Sequence, residues 1–431
     1  MEEIELRRPE LMAPAGDMIS LRAALDSGAD AIYFGIVSMN MRANAKNFAI
    51  EDLPEIARQC HDANAKAYLA LNTIIFDKET ELAEKLIISA SEAGIDAVIC
   101  WDFSVVELAL KHNMRIALST QMSVANAHSI ALLHKTFGIC RFVLARECTL
   151  DELISIRHNL KKLLGEEEAS RIEIEVFAHG AMCVSVSGRC FMSQFAFGES
   201  ANRGECRQPC RREYLIKDMR EGKEFVLGQN YVMSPKDLCS LPFLEKILDA
   251  GVDSLKIEGR GRSAEYVSEV TRCYRRFIDF YMENRNKPTF AEEAEALKKE
   301  LVKKADSVFN RGFSDGFFFG RQISEWSGGN GSKATHRKTH LGLVTNFFKK
   351  VSVAEIKVEA RDFNVGDELM FQGPTTGVKS LKVLSIEEDG KPVSTAKKGS
   401  VVGVRLSSVV RENDQVFMVV PAEEVKHLKQ N

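Results

Sequence analysis

No apolar run in this chain of 431 residues approaches the about 18 residues that a membrane-spanning helix needs, so no membrane span is expected. Excess charge of either sign is missing too. Lys and Arg number 58 against 61 Asp and Glu, leaving −3, which excludes long-range attraction of the whole chain to a polyanion. The opening Met1-Glu2-Glu3-Ile4-Glu5 is acidic where a secretory signal is basic and then apolar. His-Glu-x-x-His, Gly-x-Ser-x-Gly and paired catalytic aspartate motifs are absent, which removes the recognisable signatures of a hydrolase. These absences set aside the membrane, secreted, collagenous and disordered classes. What remains is a globular chain, 45% hydrophobic, with ten cysteines and an expected cytoplasmic, reducing location. Thiol chemistry or metal binding is expected there, rather than a disulfide framework.

From Leu11 to about Gly180, short apolar runs alternate with amphipathic stretches. Leu11–Pro14, Ala31–Gly35, Lys66–Asn72, Ala97–Cys100, Arg115–Ser119, Arg141–Leu144 and Ile172–Phe177 read as seven buried strands, and Ser254–Glu258 as an eighth. Eight such βα repeats predict an α/β fold, a TIM-like (β/α)8 barrel over residues 1–286. A cysteine-rich insertion of about seventy residues, 181–251, precedes the eighth strand. Residues 287–339 read as a helical connector and a Gly/Ser-rich, then basic, linker. Alternating patterns over 340–431 predict a small all-β barrel.

The insertion carries Cys183, Cys190, Cys206 and Cys210, spaced C-x6-C-x15-C-x3-C, while the other six cysteines are scattered. Structural zinc favours tighter knuckles, and an iron–sulfur cluster accepts more varied loops. The spacing therefore favours iron–sulfur over zinc and over unliganded thiols. Cys239 is a rival fifth thiol; a small buried side chain is its simpler reading.

Glu175-Val176-Phe177-Ala178-His179-Gly180-Ala181-Met182-Cys183, continued through Ser187-Gly188-Arg189-Cys190, resembles the signature of the U32 peptidase family. The likeness extends through Asn202-Arg203-Gly204, Ser234-Pro235-Lys236-Asp237-Leu238 and Leu255-Lys256-Ile257-Glu258-Gly259-Arg260, so that it spans roughly 10–285. The family name reflects a collagenase-type assignment. Its better-understood members support oxygen-independent hydroxylation of a wobble uridine in tRNA, a cytidine in 23S rRNA, or ubiquinone precursors. A barrel with one small β-domain most resembles the tRNA branch, which implies prephenate as co-substrate. The resemblance implies a [4Fe–4S] cluster on Cys183, Cys190, Cys206 and Cys210, with tRNA as partner and an electron donor or a related family member as a further one. A collagenase-like peptidase and a non-catalytic, metal-containing RNA-binding module are the alternatives.

Strand ends of such barrels converge on one mouth, which makes the polar residues there site candidates. Asn72, Gln121, Arg146, Lys256 and Arg260 are expected to bind substrate, with Gly259-Arg260-Gly261-Arg262 leading into a helix N-terminus suited to anions. His179, Glu147 and Glu258 are the expected acid–base groups, unless Lys256 and Glu258 simply pair with each other. Arg203, Arg207, Arg211 and Arg212 surround the last two clustered cysteines. With Arg272, Arg275, Arg276 and a basic linker (Lys333, His336, Arg337, Lys338, His340), they form the expected RNA-binding rim.

Overall fold

The computed structural model describes residues 7–42, 46–226, 233–320, 325–328 and 331–428. The acidic opening, parts of the insertion and parts of the stretch from Phe313 to Gly331 lie outside them.

Eight parallel strands close on themselves. They are β1 (Glu10–Pro14), β2 (Ala31–Phe34), β3 (Lys66–Ala70), β4 (Ala97–Cys100), β5 (Ile116–Leu118), β6 (Arg141–Val143), β7 (Glu173–Gly180) and β8 (Ser254–Ile257). β8 pairs with β1 on one side and β7 on the other, which completes the predicted TIM-like barrel. Helices α1 (Met18–Asp26), α2 (Leu53–Asp62), α3 (Thr80–Glu92), α4 (Phe103–Lys111), α5 (Ala127–Phe137) and α6 (Leu150–Leu164) separate the first seven strands. Their ends are set locally. Asp17 caps α1 by accepting the Ser20 N–H at 2.8 Å, and Thr149 and Glu152 form a reciprocal capping box on α6. After β8 the long helix Ala264–Asn284 packs against α1 and so covers the seam where the barrel closes.

The insertion follows β7 in the chain and precedes β8, although the two strands pair directly. Its short strand Asp237–Cys239 runs antiparallel to the end of β7 and parallel to Phe313–Ser314. The C-terminal unit is an eight-stranded antiparallel sheet with a separate two-stranded pair. One edge of this sheet is Gly377–Lys382 and the other is Lys391–Val393, which pairs with Ser385–Glu388, the strand that follows Gly377–Lys382 in the chain. Between these successive strands the Leu384 N–H donates to the Arg405 carbonyl, and the antiparallel sheet encloses one apolar core. Leu341, Val344, Ile356, Phe363, Phe371, Val404 and Val416 fill it. Among the described residues, no helix is long and apolar enough to cross a membrane.

Candidate functional site

The barrel interior is unusual in being charged. Arg141, on β6, is 2% exposed and reaches across the barrel to Glu10 (2.6 Å), Glu175 (2.6 Å) and the Ser254 hydroxyl (2.7 Å). Above it Glu175, fully buried, also accepts from Lys256 Nζ at 2.7 Å. Burial alone would raise the Glu175 carboxyl, but Lys256 and Arg141 more than offset this and hold it at about 2. Lys256 thus pairs with Glu175, and not with Glu258 two residues on. Its ammonium also lies 4.5 Å from the Tyr33 ring centroid.

At the C-terminal ends of the strands, a cavity collects Asn72, Gln121, Arg146, Lys256, Glu258 and Arg260 around Tyr33 and Phe177. Six residues expected at the mouth therefore meet in one place. Arg42, after β2, joins them; sequence reasoning missed it. Its guanidinium lies 3.1 Å from Glu258 Oε1, and the Tyr33 hydroxyl donates to Glu258 Oε2 at 3.2 Å. Burial pushes the Glu258 carboxyl up; Arg42, Arg146 and Arg260 overcome this and bring it down to about 2. Glu258 is therefore ionised at neutral pH, a counter-ion or proton acceptor and not a proton donor. Asn72 and Gln121 satisfy each other: Asn72 Nδ2 donates to Gln121 Oε1 at 2.8 Å and Gln121 Nε2 to the Asn72 carbonyl at 2.9 Å. They shape the wall. In contrast, the Nε–H groups of Arg146 and Arg260 are buried and have no partner among the described residues. Unpaired buried donors are costly, and an anionic ligand that reached either would relieve that cost.

Cys183 lines this same cavity. Burial pushes the Cys210 thiol up to about 11 against the pull of Arg211, and Cys183, Cys206 and Cys190 each add to the rise. Cys210 thus lies within electrostatic reach of the other three half-buried thiols, of which Cys183 lines the cavity. Among the described residues, no three His, Cys, Asp or Glu side chains converge as ligands for a single ion. The loops that carry the thiols are tied down individually. Asn202 Oδ1 accepts the Cys190 N–H at 3.0 Å, and Ser193, fully buried, accepts the Arg207 N–H at 3.0 Å. Arg211 donates to the Met182 carbonyl at 2.5 Å and the Pro235 carbonyl at 2.6 Å, which clasps both ends of the insertion.

Several expected residues fall elsewhere. His179 leaves the mouth: it is 1% exposed and its ring packs among Tyr266, Tyr274 and Phe313 on the helix side of β7. Burial, with Arg262 nearby, lowers its pKa to about 3, so the ring is neutral. Glu147 serves the insertion instead of the cavity, accepting from the Ser187 N–H at 3.0 Å and the Ser187 hydroxyl at 2.8 Å. Of the Arg260–Arg262 pair only Arg260 enters the cavity; Arg262 stacks over Phe309 at 3.6 Å. Cys239 is 1% exposed in the core, and burial pushes its thiol up to about 12.

The expected basic rim is largely neutralised within the fold. Arg203 pairs with Glu79, Arg207 with Glu199, Arg275 with Asp30 and Arg276 with Glu300; Lys338 pairs with Glu265 and His340 with Glu359.

Gly180, where β7 hands over to the insertion, has φ +107°, and a Cβ there would stand 2.4 Å from the Glu258 carbonyl oxygen. Gly180→Ala is expected to cost about 3 kcal/mol or more, read as a lowered urea midpoint, because both the backbone and Glu258 must shift.

The sequence signature of Peptidase family U32 matches residues 16–328. A protein of Porphyromonas gingivalis named collagenase is 39% identical over 417 residues, covering 96% of this chain and 99% of its own. An uncharacterized protease of Methanocaldococcus jannaschii is 41% identical over 418 residues, covering 95% and 98%. The tRNA hydroxylation protein P1 of Bacillus subtilis is 32% identical over 400 residues, covering 91% and 90%.

Proposed function

The chain belongs to Peptidase family U32, and on that premise we propose that it takes part in the oxygen-independent hydroxylation of RNA, at a wobble uridine of tRNA. The observation that carries this reading is a set of four neighbouring thiols, one of which, Cys183, lines a buried cationic cavity. Their spacing, C-x6-C-x15-C-x3-C, suits a cluster held at its corners better than a single tetrahedral ion. Cys183, Cys190, Cys206 and Cys210 would hold a [4Fe–4S] cluster, which supplies redox-active iron when bound.

The chain's own groups suit a small dicarboxylate such as prephenate. Arg42, Arg146 and Arg260 face the cavity with Glu258 as their one carboxylate among the described residues, since Lys256 is matched by Glu175. Two positive charges are left over for a dianion. Tyr33 and Phe177 give the apolar sides that a carbon ring needs.

A peptidase reading draws on the names of two relatives. The hydroxyls in the cavity give it no support: Ser119 donates to Gln121, Thr120 to the Leu144 carbonyl and Ser187 to Glu147, and none contacts a histidine.

Nucleoside mass spectrometry of tRNA from a strain lacking the gene is the test. Loss of 5-hydroxyuridine derivatives, restored by the wild type and not by Cys206→Ala, is expected. Anaerobically reconstituted wild type should carry about four irons per chain. Unchanged tRNA, together with cleavage of gelatin by the pure protein, would overturn the reading in favour of a peptidase.

A further inference from the structure

The insertion exposes a set of rings that the fold does not use. Phe195 is 88% exposed, Phe191 64% and Phe197 41%, with Val186 beside them in the sequence at 59%. Phe191 and Phe195 stand four residues apart and meet on one side of the short helix Met192–Phe197, which Phe197 ends. The helix is fixed from beneath by the buried Ser193, whose hydroxyl donates to the Glu205 carbonyl at 3.3 Å, so the rings are held outward by a firm base. Phe191 and Phe195 meet edge to face at 6.3 Å, and the Arg212 guanidinium lies over the Phe197 ring at 4.3 Å. Exposed apolar groups gathered in this way mark an interaction surface.

The charge around the rings indicates the occupant. Arg203 and Arg207 are matched by glutamates, but Arg212 and Arg189 have no ion pair among the described residues; Arg189 donates only to the Ser123 hydroxyl, at 2.9 Å. Flat exposed rings interleaved with unpaired guanidiniums match unstacked bases on an anionic backbone. The surface also adjoins the thiols, since the Met192 N–H points at Cys190 Sγ, 3.4 Å away.

We propose that Phe191, Phe195, Phe197 and Arg212 form a stacking platform for unpaired nucleotides of the RNA substrate and present a splayed base beside the thiol set. This deepens the reading above and rests on it.

The test measures binding by fluorescence anisotropy to two labelled RNAs, an anticodon stem–loop and a fully paired duplex of equal length. It uses the anaerobically reconstituted full chain, with iron content and melting temperature as checks on the fold. Phe191→Ala/Phe195→Ala and Arg212→Gln are each expected to weaken the stem–loop about tenfold or more and to leave the duplex unchanged. Leu132→Ala, exposed at 66% on α5, is the control and should alter neither. Wild-type affinity for the stem–loop in the double variant, with iron and melting temperature intact, overturns the platform and leaves the hydroxylation reading standing. Equal weakening of both RNAs also overturns it, because stacking needs free bases. Failure of the wild type to bind either RNA overturns the hydroxylation reading itself.

Discussion

Glu175→Gln is expected to destabilise the protein by about 3–5 kcal/mol at neutral pH, a large part of the stability of an ordinary domain. The substitution is nearly isosteric, so the loss is electrostatic. It leaves Lys256, 5% exposed in its side chain, with no carboxylate among the described residues, and its single amide oxygen cannot serve both Lys256 and Arg141, which holds the carboxylate with two nitrogens. Lys256→Met in the same background should recover much of the loss, because it removes the stranded cation. A urea double-mutant cycle measures the coupling. The sign with pH follows from the lowered Glu175 pKa. Its contribution is complete above the ordinary glutamate value of 4.5 and is lost as pH falls toward about 2. The gap between wild type and Glu175→Gln should therefore narrow over that window. A gap that widens in acid would refute the assignment.

If the cavity takes the proposed dicarboxylate, Arg260→Met is expected to weaken binding of prephenate about 10- to 100-fold, measured by calorimetry on the full chain. Arg260 is 6% exposed and fixed by Asn40 Oδ1 at 3.1 Å, with its Nε–H unpaired in the cavity wall. Arg260→Lys should recover only part of the affinity, since an ammonium keeps the charge but loses the fork. A monocarboxylate of similar size should lose less than the dicarboxylate. Equal affinity in Arg260→Met and wild type, with unchanged melting temperature, would place the anion outside this cavity.

The barrel was legible because its strands are buried on both faces and read as apolar runs, whereas the positions of the charged residues depend on which way each strand residue points. Glu175 and Phe177 face inward, and simple alternation would send His179 the same way. The register of β7 against β8 slips between Lys256–Phe177 and Ile257–His179, which leaves Ala178 as an extra residue. That bulge turns His179 outward among the tyrosines, and nothing in its local sequence announces it. Arg42 was missed for another reason: it stands in no motif. Its place after β2 is the same signal that marks Asn72, Gln121 and Arg146 after their own strands. The four clustered cysteines were legible as a set, and the sequence also showed the arginines around them. The glutamates that neutralise Arg203 and Arg276 come from distant helices and turns, so their pairing is visible only in the folded chain.

The covered seam of the barrel also bears on how the molecule is made. Tyr33 donates to Glu258 across 225 positions of sequence, and β1 has no second neighbour until β8 has been synthesised. The C-terminal unit then adds its own weight at that seam, where Val378 packs between Ala23 of α1 and Ala264, while Lys338 reaches Glu265 at 2.8 Å. Closure is thus a late event in translation, and the first helix leaves the ribosome long before the surfaces that shelter it. Such non-local pairing slows folding and leaves apolar surface uncovered meanwhile. Chains released early, before residue 254, would lack the closing strand altogether and depend on chaperones to stay in solution.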